Sequence, residues 1–344
     1  MKSSMKAAVV EVDGSLTIRT VPVPEINPYQ VLVKMTYGST CAGTDLRIME
    51  KGHPEPVSYP SILGHESVGR AVKIGDKVTS FKIGDLISRV GAPAMPELGL
   101  DICFGGFAQY GVATDYVAME RDGIPRSEWE KARVQKLIPA DIGEKVAPMM
   151  ITWRETLSYA TRLGVKEGDN VLILGSGANA LAFVRHCVYV KAKVVTIGSI
   201  KRSNLLIKAG AVTNIDYKSD EIYEQLEALF PDGIDYIIDA VGYSRNTNIA
   251  LPLLKEKGCI GVYGWHSRAD YGINPFKANH SFSVYCDGYD EPETHDEIIK
   301  RIREGFLDAS LWYDIDNPVP LDNIAEAYAA LREHKALKYL IDLT

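Results

Sequence analysis

Residues 171–183 read VLILGSGANALAF: an apolar run, then Gly175-Ser176-Gly177-Ala178-Asn179-Ala180, then a helix-forming stretch. Gly175 allows a tight turn, Gly177 lets the backbone approach a pyrophosphate, and Ala180 permits close helix–strand packing. A helix that starts there supplies N–H donors and the positive end of its dipole to phosphates. The alternation then continues. KVVTIG, YIIDAVG and CIGVYGW have strand character, whereas KRSNLLIKAGA and NTNIALPLLKEKG (246–258) have helix character. Strands alternating with helices predict βαβ units and a doubly wound parallel sheet, the Rossmann arrangement of an α/β protein. Without both flanking elements, the glycines would signify no more than a turn.

The remainder has a different texture. Residues 5–40 and 63–90 alternate apolar and polar residues, punctuated by Pro and Gly, and predict antiparallel β structure. Helical spacing begins near residue 139. The tail offers helices over 294–307 and 321–334, then an apolar strand, KYLIDLT, suited to rejoining an earlier sheet. A length of 344 residues suggests two domains. We place a β-rich domain at 1–152, the dinucleotide-binding domain at 153–290, and a return segment at 291–344.

A net charge of −7 argues against nucleic acid or a membrane surface as partner. No apolar run approaches the roughly 20 residues of a membrane span. The opening MKSSMKAAVV lacks an apolar core followed by a small-residue cleavage site, so no signal peptide is expected. Five scattered cysteines, at 41, 103, 187, 259 and 286, fit a reducing cytoplasm better than a disulfide framework. They form no CxxC pair, so a four-thiolate zinc site is not expected.

The strand after the glycine loop ends at Gly198, where an NAD site usually carries an acidic residue for the ribose 2′-hydroxyl. Ser199, Lys201 and Arg202 follow. Glycine leaves room for a 2′-phosphate, and a hydroxyl with two cations can bind one. NADP is therefore expected, with NAD as the alternative. Further cofactor candidates are Tyr217, Val241, Gly242 and Tyr263 near later strand ends, and Lys338 in the tail.

The stretch GHESVGRAVKIGDKV places Gly64, His65, Glu66, Gly69, Gly75 and Val78 at fixed intervals. It resembles the signature of the zinc-containing alcohol dehydrogenases of the medium-chain dehydrogenase/reductase family. The resemblance spans the chain, through FKIGDLI at 81–87, DAVG at 239–242 and the closing IAEAY…KYLIDL. It implies an N-terminal distorted β-barrel of GroES-like fold, a zinc ion acting as Lewis acid, and hydride transfer to nicotinamide. By resemblance, His65 is a zinc ligand and Glu66 either binds the metal or sits behind it. Thr44 relays the proton, and Asp45 orients the site. A homodimer or homotetramer is also implied.

Two positions depart from the family pattern. The family string Cys-x-Thr/Ser-Asp is one residue longer here, Cys41-Ala-Gly-Thr44-Asp45. The third-ligand position falls on Ile151, with Glu155 one helical turn later in ETLS, a context similar to that of polyol dehydrogenases. Either Cys41, His65 and Glu155 hold zinc with Glu66 beside it, or the site works without metal. Residues 89–118 contain only Cys103, so no structural zinc is expected. Arg47, His53, Trp153, Glu155, Trp265 and His266 are candidate pocket residues. Their polarity favours a small hydroxylated substrate, a polyol, sugar or cyclitol whose secondary alcohol is interconverted with its ketone. The alternative is a metal-free reductase of a carbonyl or an activated C=C bond.

Overall fold

The computed structural model describes residues 3–266 and 270–344. The chain forms two compact units, Met1–Thr152 with His295–Thr344, and Trp153–Thr294.

The first unit begins with a hairpin of β1 (Ser4–Val10) and β2 (Leu16–Pro22). The long strand β3 (Gln30–Ser39) follows, then the short helix α1 (Asp45–Met49). Next come β4 (Ser61–Ile62), β5 (Glu66–Ile74), β6 (Leu86–Ser88), β7 (Asp101–Ile102), β8 (Tyr110–Thr114) and β9 (Leu137–Ile138). β1, β2, β4 and β7 form one sheet in the order β2-β1-β4-β7. β3 pairs antiparallel with β5, and its register shifts twice, between Leu32 and Val33 and between Met35 and Tyr37. Such irregularities bend and twist a sheet, the curvature that a distorted barrel requires. Gly69 lies opposite Met35, where a Cβ would come within 2.5 Å of the Lys34 carbonyl oxygen. The strands can approach this closely only because the position carries no side chain.

Two helices, α2 (Tyr116–Arg121) and α3 (Arg126–Trp129), precede the longer α4 (Met149–Leu163). The second unit is then a six-stranded sheet with every pairing parallel, in the order β12-β11-β10-β13-β14-β15. Its strands are β10 (Asn170–Leu174), β11 (Lys193–Gly198), β12 (Thr213–Asp216), β13 (Ile234–Asp239), β14 (Leu254–Val262) and β15 (Ser283–Tyr285). Its helices are α5 (Ala178–Tyr189), α6 (Ser203–Lys208), α7 (Ile222–Leu229) and α8 (Ser244–Ala250). Val171, Leu172, Ile173 and Leu174 are all buried, as both faces of a parallel sheet require.

The helix expected over 246–258 is shorter. α8 ends at Ala250, Leu251–Leu253 makes a single 3₁₀ turn, and β14 begins at Leu254. Pro252 has no N–H to donate to a helix, and Leu254 is already paired with Ile234 of β13.

In the return segment, α9 (His295–Arg303), β16 (Val319–Pro320) and α10 (Ile324–Arg332) lead to β17 (Leu340–Asp342). β17 pairs antiparallel with the end of β3, Leu340 opposite Ser39 and Asp342 opposite Tyr37. The sheet runs β16-β17-β3-β5-β6-β9, with β8 also on β3. Residues 291–294, expected in the return segment, stay with the second unit. Glu293 bonds Arg162 at 2.7 Å, the Thr294 hydroxyl donates to the Arg154 carbonyl at 2.9 Å, and Glu291 pairs with Arg154. Among the described residues no helix is long and apolar enough to cross a membrane.

Candidate active site

The extra residue in Cys41-Ala-Gly-Thr-Asp is taken up in a single turn between β3 and α1. The Asp45 N–H donates to the Cys41 carbonyl at 2.9 Å, and Ala42 and Gly43 face solvent. The register of β3 against β5 sets Ser39 opposite Glu66, which carries this turn to the start of the His65–Glu66 strand. The displaced cysteine thereby reaches the histidine. Ligand atoms of Cys41, His65 and Glu66 all lie within 4.8 Å of one another, the one such trio of potential metal ligands among the described residues.

Asp45 is enclosed behind them. Its Oδ2 accepts from the Cys41 N–H at 2.8 Å and from the Tyr328 hydroxyl at 2.6 Å. Its Oδ1 stands 3.2 Å from His65 Nδ1, close enough for a strong charge interaction although not aligned as a hydrogen bond. His65 Nε2 faces the other way, 3.7 Å from Glu66 Oε1. Burial by itself disfavours the imidazolium, but Asp45, and after it Cys41, outweigh burial and lift the pKa well above 6.5. The same field that holds a proton on His65 attracts any cation.

Glu66 is deeply engaged. Lys338 donates to Oε1 at 2.6 Å and to Oε2 at 2.5 Å, Thr152 to Oε1 at 2.9 Å, and Ser39 to Oε2. Lys338, expected at the cofactor, has its ammonium committed here, with a further bond to the Thr40 carbonyl at 3.1 Å. Burial opposes its charge, but the carboxylate of Glu66 prevails and raises its pKa above 10.5. Thr44 is half-buried at the start of α1.

Sulfur, imidazole and carboxylate are a donor set that zinc accepts, and His65 backed by a carboxylate is the usual support for a ligating imidazole. The buried His65 Nδ1 and Asp45 Oδ1, lacking hydrogen-bond alignment, add to the fit. Glu155 belongs to the second unit, half-buried on α4. Of the pocket candidates, Arg47 and His53 are half-buried, Trp153 is fully enclosed, and Trp265 and His266 are exposed. His266 lies against Tyr243 with the rings tilted by 39° and their centroids 4.1 Å apart.

In the second unit, β10 delivers the glycine loop to the start of α5. Gly175 has φ +126°, the left-handed region that favours glycine. Gly177 is exposed, Ala178 and Asn179 are half-buried, and Ala180 is buried beneath the first turn. At the end of β11, Ser199 and Arg202 are half-buried while Lys201 is exposed. Tyr217 is exposed and donates its N–H to the Gly198 carbonyl at 3.1 Å. After β13, Asp239 Oδ1 accepts the N–H groups of Val241 at 2.9 Å and Gly242 at 2.7 Å, which shapes that loop. Tyr263 packs its ring against Tyr159 and Phe183. The sequence reading missed Ser39, Thr152, Ser176, Asn214, Tyr328 and Asp239. Each is hydrogen-bonded to another residue of these loops, a contact that local spacing does not announce.

Residues 27–126 match the alcohol dehydrogenase GroES-like domain family, and residues 174–301 match the zinc-binding dehydrogenase family. A sorbitol dehydrogenase of Bombyx mori is 27% identical over 274 residues, covering 75% of this chain and 76% of the relative. Benzyl alcohol dehydrogenase from Acinetobacter calcoaceticus shares the fold with TM-score 0.82 at 17% identity, over the whole of both chains. A zinc-binding dehydrogenase from Sinorhizobium meliloti 1021, solved with NADP, superposes with TM-score 0.78 at 21% identity over 99% of this chain and 100% of the other. With a GroES-like unit, an all-parallel nucleotide-binding sheet and the His65–Glu66 cluster in place, the chain is an oxidoreductase of the zinc-type medium-chain alcohol and polyol dehydrogenase family.

Proposed function

We propose that the protein is an NADP(H)-dependent, zinc-assisted dehydrogenase. It interconverts the secondary alcohol of a polyol, sugar or cyclitol with the corresponding ketone. The observation that carries this reading is the trio of half-buried Cys41 with buried His65 and Glu66, and Asp45 behind it. Zinc, when bound, supplies a Lewis acid for the substrate oxygen. Cys41 and His65 would hold it, with Glu66 adjoining. Thr44 would take the proton of the substrate hydroxyl, and the nicotinamide, when bound, would supply the hydride acceptor. Asp45 keeps His65 oriented, and Lys338 fixes Glu66.

NADP is favoured by Gly198 in place of an acid and by Ser199, Lys201 and Arg202 beside it. Gly175, Gly177, Ala178, Asn179 and Ala180 form the pyrophosphate cradle. Sorbitol is the named substrate of a relative, which supports the polyol class. A cytoplasmic homodimer or homotetramer is the expected form.

The test is elemental analysis of the purified protein, followed by a polyol panel with NADP and with NAD. About one zinc per chain, activity lost to a chelator, and faster reduction of NADP are expected. Full activity in a zinc-free preparation would instead favour the second reading, a metal-free reductase of a carbonyl or activated C=C bond. The saturation of Glu66 by Lys338, Thr152 and Ser39 is the observation on that side.

A further inference from the structure

The structure reveals what occupies the space left by the missing acid at position 198. A Cβ on Gly198 would fall 2.6 Å from Ser176 Cβ, and 3.1 Å from both Ser176 Oγ and Asn214 Oδ1. Ser176 Cβ is tied to the backbone and cannot rotate away, so a side chain at 198 must displace the middle residue of the glycine loop. The Ser176 hydroxyl also accepts the Ser199 N–H at 3.0 Å. A hydroxyl that accepts in this way still has its own hydrogen to donate. From the other side, Asn214 Nδ2 donates to the Ser199 carbonyl at 3.3 Å and to Ser203 Oγ at 2.8 Å, while its Oδ1 accepts from Thr196 at 2.8 Å. The turn after β11 is therefore held at both edges.

We propose that Ser176 is a specificity-determining residue of the nucleotide site and forms a single unit with Gly198. It fills the volume where a ribose-binding acid would begin, sets Ser199 in place, and donates its hydroxyl hydrogen to a phosphate oxygen on the ribose 2′ position. This inference rests on the NADP reading and names the residue that enforces it. Asn214 is a positioning residue for the same turn.

The test measures NADPH and NADH binding to the full chain by nicotinamide fluorescence, for the wild type, S176A, G198D and S176G/G198D. S176A should weaken NADPH about tenfold and NADH by less than about threefold, the loss of one hydrogen bond to a charged group. G198D alone should weaken both cofactors, because the glycine loop is pushed aside. Adding S176G should then tighten NADH by about tenfold relative to G198D, since an acid now fits beside the 2′-hydroxyl. Equal losses of both cofactors in S176A would overturn the phosphate contact. No gain in the double variant would overturn the pairing. A melting cycle of S176G, G198A and S176G/G198A checks the pairing without cofactor: the double variant should melt above G198A, and additive shifts would sink it. Tighter NADH than NADPH in the wild type, with the melting cycle coupled, would overturn the NADP reading and the phosphate contact while supporting the pairing.

Discussion

The Tyr328 hydroxyl donates to Asp45 Oδ2 at 2.6 Å, with both residues fully enclosed. The same oxygen accepts the Cys41 N–H, and the other carboxylate oxygen faces His65 Nδ1. One residue of α10 thus steadies the carboxylate that adjoins two of the candidate ligands. Support of this kind typically contributes about 10–100-fold to metal affinity. Tyr328→Phe should weaken zinc binding by about tenfold in chelator competition. It should also lower stability by about 1.5–3 kcal/mol, because a buried carboxylate loses a donor. Unchanged zinc affinity in a folded Tyr328→Phe protein would show that Asp45 holds its orientation without the tyrosine.

Lys338 and Glu66 form a second support. Both are buried, and each carboxylate oxygen receives the ammonium as well as a hydroxyl. Removing one member of such a pair leaves an uncompensated charge, whereas removing both often costs little. Lys338→Met should therefore destabilise the metal-free protein by about 3–5 kcal/mol in urea unfolding. Glu66→Gln combined with Lys338→Met should recover most of that loss. A single variant within about 1 kcal/mol of the wild type would contradict an ion pair of this strength.

The sheets were legible because their signals are local. The buried run Val171–Leu174 and the Gly175–Ala180 loop announce β10 and α5 within thirteen residues. β12, α7 and β15 escaped notice. β12 is four residues long and β15 three, too short for a periodic pattern, and α7 lies in a polar, acidic stretch. At the site, His65 and Asp45 could be found only through the family resemblance that the GHE and GTD strings carry. Cys41 was ambiguous because one residue in a strand reverses a side chain, and only the turn closed by Asp45 N–H settles where the thiol goes. Tyr328 and Lys338 lie 283 and 272 residues from their partners Asp45 and Glu66. No local pattern encodes contacts of that range.

The turn after β11 separates the two cations beside it. Lys201 is exposed, whereas Arg202 is half-buried, and burial pulls its pKa below the usual arginine range. A partly desolvated guanidinium gains more from a phosphate dianion than a solvated ammonium does. Arg202→Ala should raise KM for NADPH by at least about tenfold, with little change for NADH. Lys201→Ala should produce a smaller rise, by no more than about threefold, since a solvated charge is screened. Steady-state kinetics with each cofactor decide the matter. Equal effects of Arg202→Ala on NADPH and NADH would place the guanidinium away from the 2′ position.

The cysteines offer a chemical readout of the candidate metal site. Burial pushes the Cys103 thiol up to about 12, with Asp45 and Asp101 adding to the effect. At pH 8 about one part in ten thousand is then thiolate, the form that reacts. Cys187 is buried as well, whereas Cys286 is exposed and Cys41 half-buried. Iodoacetamide at pH 8 should label Cys286 first and Cys41 more slowly in metal-free protein, with Cys103 and Cys187 modified only after unfolding. Added zinc should protect Cys41 and leave Cys286 unaffected, because a coordinated thiolate no longer attacks the reagent. Peptide mass mapping gives the rate at each site. Labelling of Cys41 at the same rate with and without zinc would remove it from the ligand set, while protection of Cys41 alone would tie the displaced cysteine to the metal.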